Sequence, residues 1–132
     1  SKMILRSLNL LESGEAKFKD QEEKDATYAK KISKSESRID WKISADRLIA
    51  KINGLNPSPG VWFTHKKNRF KIVKAKEIEI NGQAGEVIDN NLTVACSKNS
   101  IKILEIQKEG KNILKCNDFL LGYKIKKNEF LS

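Results

Sequence analysis

The stretch "SADRLIAKINGLNPSPGVWFTHKKNRFKIVKA", Ser44 to Ala75, changes its hydrophobic period partway along, and that change decides the fold. In its first half Ala45, Leu48, Ile49 and Ile52 recur at helical spacing and make one apolar face. Ser44 is the expected N-cap, and Asp46 sits in the first turn, where a carboxylate suits the helix dipole. Gly54 and Pro57 end the helix. From Gly60 onward the period is two. "GVWFT" and "RFKIVKA" flank a polar turn, His65 to Asn68, which predicts a β-hairpin.

The pattern continues downstream. "KEIEI" is expected as a strand, then "NGQAG" as a turn, then "GEVID" as another strand. "LTVAC" and "IKILEI" flank "SKNS" as a second hairpin, and "NDFLLGYKI" predicts a short helix capped by Asn117 and ended at Gly122. One helix, five or six short strands with tight turns and a terminal helical turn predict a mainly β protein built as a small antiparallel barrel. Closing the sheet removes the open edges that so many short strands would leave.

Upstream, Ile4, Leu5, Leu8 and Leu11 make a helical leucine stripe, with Gly14 where a left-handed cap belongs. A single helix cannot bury such a stripe by itself. Residues 15–40 are polar with few apolar positions and predict an extended connector. The N-terminal segment is no signal peptide by pattern, because Arg6, Ser7 and Asn9 interrupt its apolar positions. No apolar run approaches the roughly eighteen residues of a membrane span. Cys96 and Cys116 lack Cys-x-x-Cys spacing and lie among apolar residues, which favours a reduced intracellular pair over a disulfide or metal site.

The net charge of +9 is uneven. Residues 1–40 carry nine Lys and Arg against eight Asp and Glu, whereas 41–132 carry seventeen against nine. A basic barrel favours a polyanion, nucleic acid ahead of anionic membrane. A lysine-rich proteome in which such surfaces mean little is the competing explanation. The charge concentrates in "HKKNRFKIVKAKE", where Lys66, Lys67, Arg69, Lys71, Lys74 and Lys76 fall within eleven residues. Strand alternation places Arg69 and Lys71 opposite Phe70 and Ile72, so the cations point outward while the barrel is filled. Such a ridge suits phosphate contacts, and equally a solvated outer face.

Trp62 and Phe63 are consecutive, so one is expected inward and the other outward. An outward aromatic beside lysines either stacks on a base or packs under a loop or the preceding helix. Trp41 is expected as an anchor closing the barrel's end. His65 sits in the hairpin turn with no evident acid to orient it, and Asp89-Asn90-Asn91 is turn chemistry. With no Gly-rich phosphate loop and no metal-spaced ligands, the residues predict no covalent chemistry.

Residues Tyr28, Ala29, Lys31, Ile32, Lys34, Glu36, Ile39, Asp40 and Trp41, followed by a helix and then Asn56, Pro57, Pro59 and Gly60, carry a family resemblance. The pattern Tyr-Ala-x-Lys-Ile-x-Lys-x-Glu-x-x-Ile-Asp-Trp with Asn-Pro-x-Pro resembles the interdomain junction of methionyl-tRNA formyltransferases. "ILEIQKEGK" (103–111) and "DFLLGYKI" (118–125) resemble that family's last strand and closing helix, so the resemblance covers essentially the whole chain. Ser58 stands where the family often has an aromatic and Gly54 where it often has alanine.

The resemblance implies an OB-fold-like barrel over 41–132, an interdomain linker over 15–40, and residues 1–14 as the last helix of a preceding catalytic domain. That domain would bind the co-substrate 10-formyltetrahydrofolate and carry an Asn-His-Asp set, which has no counterpart here. The family's Ser-Leu-Leu-Pro signature is also without one, and His65 does not match the family's histidine. The portion at hand is thus expected to bind no cofactor or metal, to be inactive alone, and to hold initiator methionyl-tRNA. It is expected as a monomer in the cytoplasm or an organelle matrix. Candidate tRNA-binding residues are Lys30, Lys31 and Lys34 in the linker and Lys66, Lys67, Arg69, Lys71 and Lys74 on the barrel. Alternatives are a free-standing OB-type module for single-stranded nucleic acid and the C-terminal domain of a nucleotide-sugar formyltransferase.

Overall fold

In the computed structural model the switch of period at Gly60 is where helix α2 (Ala45–Leu55) gives way to strand β1 (Val61–His65). The structure describes residues 2–15, 32 and 35–132. Two compact units result, Ser1–Lys31 and Ile32–Ser132. The first contains α1 (Lys2–Glu12), which ends as Gly14 predicts: φ is +71°, and the Gly14 and Glu15 N–H groups donate to the Leu11 and Leu10 carbonyls. Ile4, Leu5, Leu8 and Leu11 are each more than half exposed.

The second unit is a curled antiparallel half-barrel. After β1 come β2 (Asn68–Ile78), β3 (Thr93–Ala95), β4 (Ser100–Lys108), β5 (Ile113–Lys115) and α3 (Cys116–Gly122). The sheet order is β1-β2-β4-β3, with β5 also paired to β4. Strand β4 is the spine: β2 runs along one edge, while β3 and β5 share the other.

The inward residues follow the strand alternation. Val61, Phe63, Phe70, Ile72, Ile101, Ile103 and Ile106 are fully buried, and α2 adds Ala45, Leu48 and Ile52 to the same core. Each large side chain so buried contributes about 1.5–3 kcal/mol. Phe70 is the hinge of an aromatic cluster, with Phe63 at 5.6 Å, Phe119 at 5.4 Å and Tyr123 at 4.9 Å between ring centroids. Trp41 is buried in the same core, edge-on to Phe63 at 6.1 Å. Its indole N–H is buried without a hydrogen-bond partner among the described residues. Ile39 is buried too, and the Ile39 N–H bonds to the Trp62 carbonyl, so the "IDW" end of the arm is built into the barrel.

Four local expectations differ from the structure. "KEIEI" is no separate strand, because β2 runs on from Asn68 to Ile78 through a bulge. "GEVID" forms only isolated bridges, Glu86 to Phe130 and Val87 to Val94, since its neighbours on both sides pair for a single residue. Ser44 occupies the N-cap position, but its side chain makes no capping hydrogen bond. Helix α3 begins at Cys116, so Lys115 and not Asn117 stands at its cap. The two thiols are free and buried, and burial pushes each up to about 11.

Candidate nucleic-acid interface

The hairpin joining β1 to β2 turns on Lys66 and Lys67, whose φ values are +47° and +63°. Two left-handed residues are what a tight two-residue hairpin loop demands, and the strain normally selects Asn or Gly there. Two lysines at this tip place their charge at the end of the barrel, but they are not equivalent. Lys66 Nζ lies 3.2 Å from Glu129 Oε1, whereas Lys67 is exposed and makes no ion pair among the described residues.

His65 corrects a sequence expectation. It is the last residue of β1, buried, and not a solvated turn residue. An acid does face it: Glu129 Oε2 is 3.1 Å from Nε2, and the Tyr123 hydroxyl is 3.1 Å from Nδ1. Glu129 is 64 residues away in sequence, which is why inspection of neighbours misses it. The Lys126 N–H, Lys66 and His65 hold the Glu129 carboxyl below its ordinary range. This cluster fastens the C-terminal segment beneath the hairpin, along with the paired backbone of Thr64 and Ser132.

On the outer side of the sheet, register sets side chains in a row. Arg38 bridges Trp62, Trp62 pairs with Lys71, and Lys71 pairs with Gln107. Phe63 is the inward aromatic and Trp62 the outward, half-buried one. The Arg69 guanidinium carbon lies over the Trp62 ring, 4.1 Å from its centroid, and Arg38 lies 5.8 Å from it. Arg69 Nη1 also meets Glu109 Oε1 at 3.3 Å. Lys71 Nζ donates to the Pro57 carbonyl of the α2–β1 loop. Together with Ser37 and Pro59, the Trp62, Arg69, Lys71, Gln107 and Glu109 side chains line an open groove of about 390 Å³.

Further along β2 the strand changes parity. Ile72 pairs with Ile106, Lys74 with Glu105 and Ala75 with Ile103, so Val73 and Leu104 are extra residues on their two strands. The charges require this. Arg69 and Lys71 are odd-numbered and outward, whereas Lys74 and Lys76 are even-numbered; a bulge-free strand would drive one pair into the core. With the bulge, Lys74 and Lys76 are exposed and Ala75 packs against the core. They share a second open depression, of about 410 Å³, with Lys102 of β4 and Lys115 of β5.

The single ridge expected from sequence is therefore two patches on one strand. Arg69 and Lys71 stand at the Trp62 groove; Lys74 stands with Lys76, Lys102 and Lys115. Lys66 and Lys67 mark the hairpin tip, and Lys30, Lys31 and Lys34 lie outside the described residues. Lys102, Lys115, Gln107 and Glu109 were not legible as site residues because strand pairing alone brings them in. The swap of charge parity across "RFKIVKAK" is the signal that could have located the bulge. Among the described residues no three His, Cys, Asp or Glu side chains gather as metal ligands, and no helix is long and apolar enough to cross a membrane.

The profile described as "Formyl transferase, C-terminal domain" matches residues 31–124. A Pelagibacter ubique protein named methionyl-tRNA formyltransferase is 44% identical over 126 residues, covering 95% of this chain and 41% of that protein. One from Bradyrhizobium diazoefficiens with the same name is 38% identical over 128 residues, 94% of this chain and 41% of its own length. The chain thus spans about two-fifths of the length of these relatives. Among solved structures, HypX from Aquifex aeolicus in complex with tetrahydrofolic acid superposes with a TM-score of 0.76. That match covers 99% of this chain and 26% of that one at 18% identity, a likeness of fold. With residues 31–124, most of the chain, matched in this way, this chain belongs to the formyl transferase C-terminal domain family.

Proposed function

We propose that this chain is the tRNA-holding portion of a methionyl-tRNA formyltransferase. The whole protein transfers a formyl group from 10-formyltetrahydrofolate to the amino group of methionyl-initiator-tRNA. That chemistry, and the folate, belong to residues outside this chain. Residues 1–14 serve as the last helix of the catalytic domain, whose surface covers the Leu stripe, and 15–40 as the linker. The protein works as a monomer in the compartment where translation takes place, the cytoplasm or an organelle matrix.

The observation that carries this reading is the outward side of β2, which stays cationic through a parity-changing bulge while the inward side remains core. Lysines and arginines on a rigid strand meet phosphates without reading sequence, and so orient an RNA body. The binding energy gained there is spent on presenting the reacting end, which is an orientational contribution to rate. Lys30, Lys31 and Lys34 serve as further tRNA contacts. The names of the relatives support tRNA as the polyanion.

The test is tRNA binding by the chain across a salt series. Wild type should show log K falling linearly with log salt. Reversal of Lys67, Arg69, Lys71 and Lys74 to Glu should weaken binding at least about tenfold and flatten the salt slope. Unaltered affinity and slope in that variant would remove the barrel from the tRNA interface.

A further inference from the structure

The groove at Trp62 holds more than a phosphate contact requires. Backbone contacts need cations alone, yet here a half-buried indole stands in the middle of the outer row, flanked by Arg38 and Lys71. Arg69 lies over its ring at 4.1 Å. An arginine so supported presents a planar π-compatible surface, and bases stack on guanidinium planes as well as on aromatic rings. The groove volume of about 390 Å³ suits one nucleotide, and its mouth is open.

The lining adds polarity of a particular kind. Glu109 contributes a carboxylate, which only accepts hydrogen bonds. Gln107 donates its side-chain N–H to the Lys111 carbonyl at 2.8 Å, which leaves its side-chain oxygen as the acceptor. Lys71, also among the lining residues, supplies a cation whose Nζ donates to the Pro57 carbonyl. The groove thus combines a stacking surface, hydrogen-bond acceptors and a cation among its lining residues.

We propose that this groove takes one unpaired nucleotide of the bound RNA. Its base stacks on the Trp62–Arg69 pair, its phosphate meets Lys71, and its exocyclic amino group is accepted by Glu109 and Gln107. Bases that carry an amino group, adenine foremost because a purine also stacks over a larger area, are favoured over uracil, whose exocyclic groups are both carbonyls. The inference rests on the RNA-holding reading above and adds to it a preference for an unpaired base.

The experiment compares two RNAs with the whole chain: a blunt hairpin, and the same hairpin with one unpaired 3′ adenosine. The extra adenosine should tighten binding about tenfold, in keeping with the stacking of one base on an aromatic. An unpaired uridine should give less than a third of that gain. In Trp62→Leu the ratio between the two RNAs should fall to within about twofold of unity, whereas Trp62→Phe, which keeps a π face, should retain it. Fluorescence gives a second readout, because Trp41 is buried and Trp62 lines the groove: the adenosine hairpin should quench wild-type emission, and leave Trp62→Leu emission unchanged. Equal binding of both RNAs by wild type would overturn the pocket and leave the RNA-holding reading standing. A gain from adenosine that persists in Trp62→Leu would equally overturn the assignment to this groove. Failure to bind either RNA at low salt would instead overturn the RNA-holding reading, and the pocket with it.

Discussion

Lys76 on β2 stands directly opposite Lys102 on β4, a like-charged pair at a cross-strand position in a sheet that has many neutral alternatives. Lys74 and Lys115 border the same depression, and Glu105, paired in register with both, is the single acid among its lining residues. Directly opposed like charges destabilise a strand pair by about 0.2–1 kcal/mol. A folded barrel that keeps such a pair concentrates positive charge at the expense of stability.

Lys102→Glu should therefore raise the denaturant midpoint, by about 0.5–1 kcal/mol in stability, with a larger gain at low salt. The same change should lower affinity for RNA. Loss of stability together with unchanged RNA affinity would show that the pair is ordinary surface.

Gly60 is a position where a side chain meets two obstacles. Its φ is +76°, and an added Cβ would collide with Lys71 Cε. Gly60→Ala should cost about 1–2 kcal/mol from the left-handed backbone. It should also displace Lys71 from the Pro57 carbonyl and so weaken RNA binding. Equilibrium unfolding and RNA titration of this variant check both effects; wild-type values in both would refute the close approach.

Asp89 ties the turn before β3. Its Oδ1 accepts from the Asn91 and Thr93 N–H groups at 2.8 and 3.0 Å, and its Oδ2 accepts from the Thr93 hydroxyl at 2.8 Å. Partial burial opposes ionisation, but those three donors outweigh it and hold the carboxyl below its ordinary 3.8. A depressed carboxyl stabilises fully above 3.8, and its contribution is lost as pH falls through the lowered value. Asp89→Asn should remove about 1 kcal/mol at neutral pH and flatten the stability curve below about pH 4. A stability–pH profile identical to wild type would refute the assignment.

Much of the fold was legible because the core is local in pattern. The helical spacing of Ala45, Leu48 and Ile52 and the alternation of Val61, Phe63, Phe70 and Ile72 each specify an inward face without reference to distant residues. Gly14 ended its helix as its conformational freedom predicts. The errors arose where a short segment depended on a partner. "GEVID" alternates well enough to be a strand, yet it finds only single-residue bridges, and no periodicity reports how long a neighbour is.

For the candidate interface the division is sharper. Residue types along "HKKNRFKIVKAKE" determined that β2 would carry cations, and their parity swap already demanded a bulge. That is a property of one strand, and sequence suffices for it. Which cations are already committed was decided only by the tertiary structure: Glu129 reaches Lys66 across 63 residues and Glu109 reaches Arg69 across 40. So was the assembly of Arg38, Trp62, Lys71 and Gln107 into one row, and of Lys74, Lys76, Lys102 and Lys115 into another patch. The physical reason is that a strand's facing is set by its own period of two, whereas its neighbours are set by register, which the chain settles only when the sheet packs over a shared core.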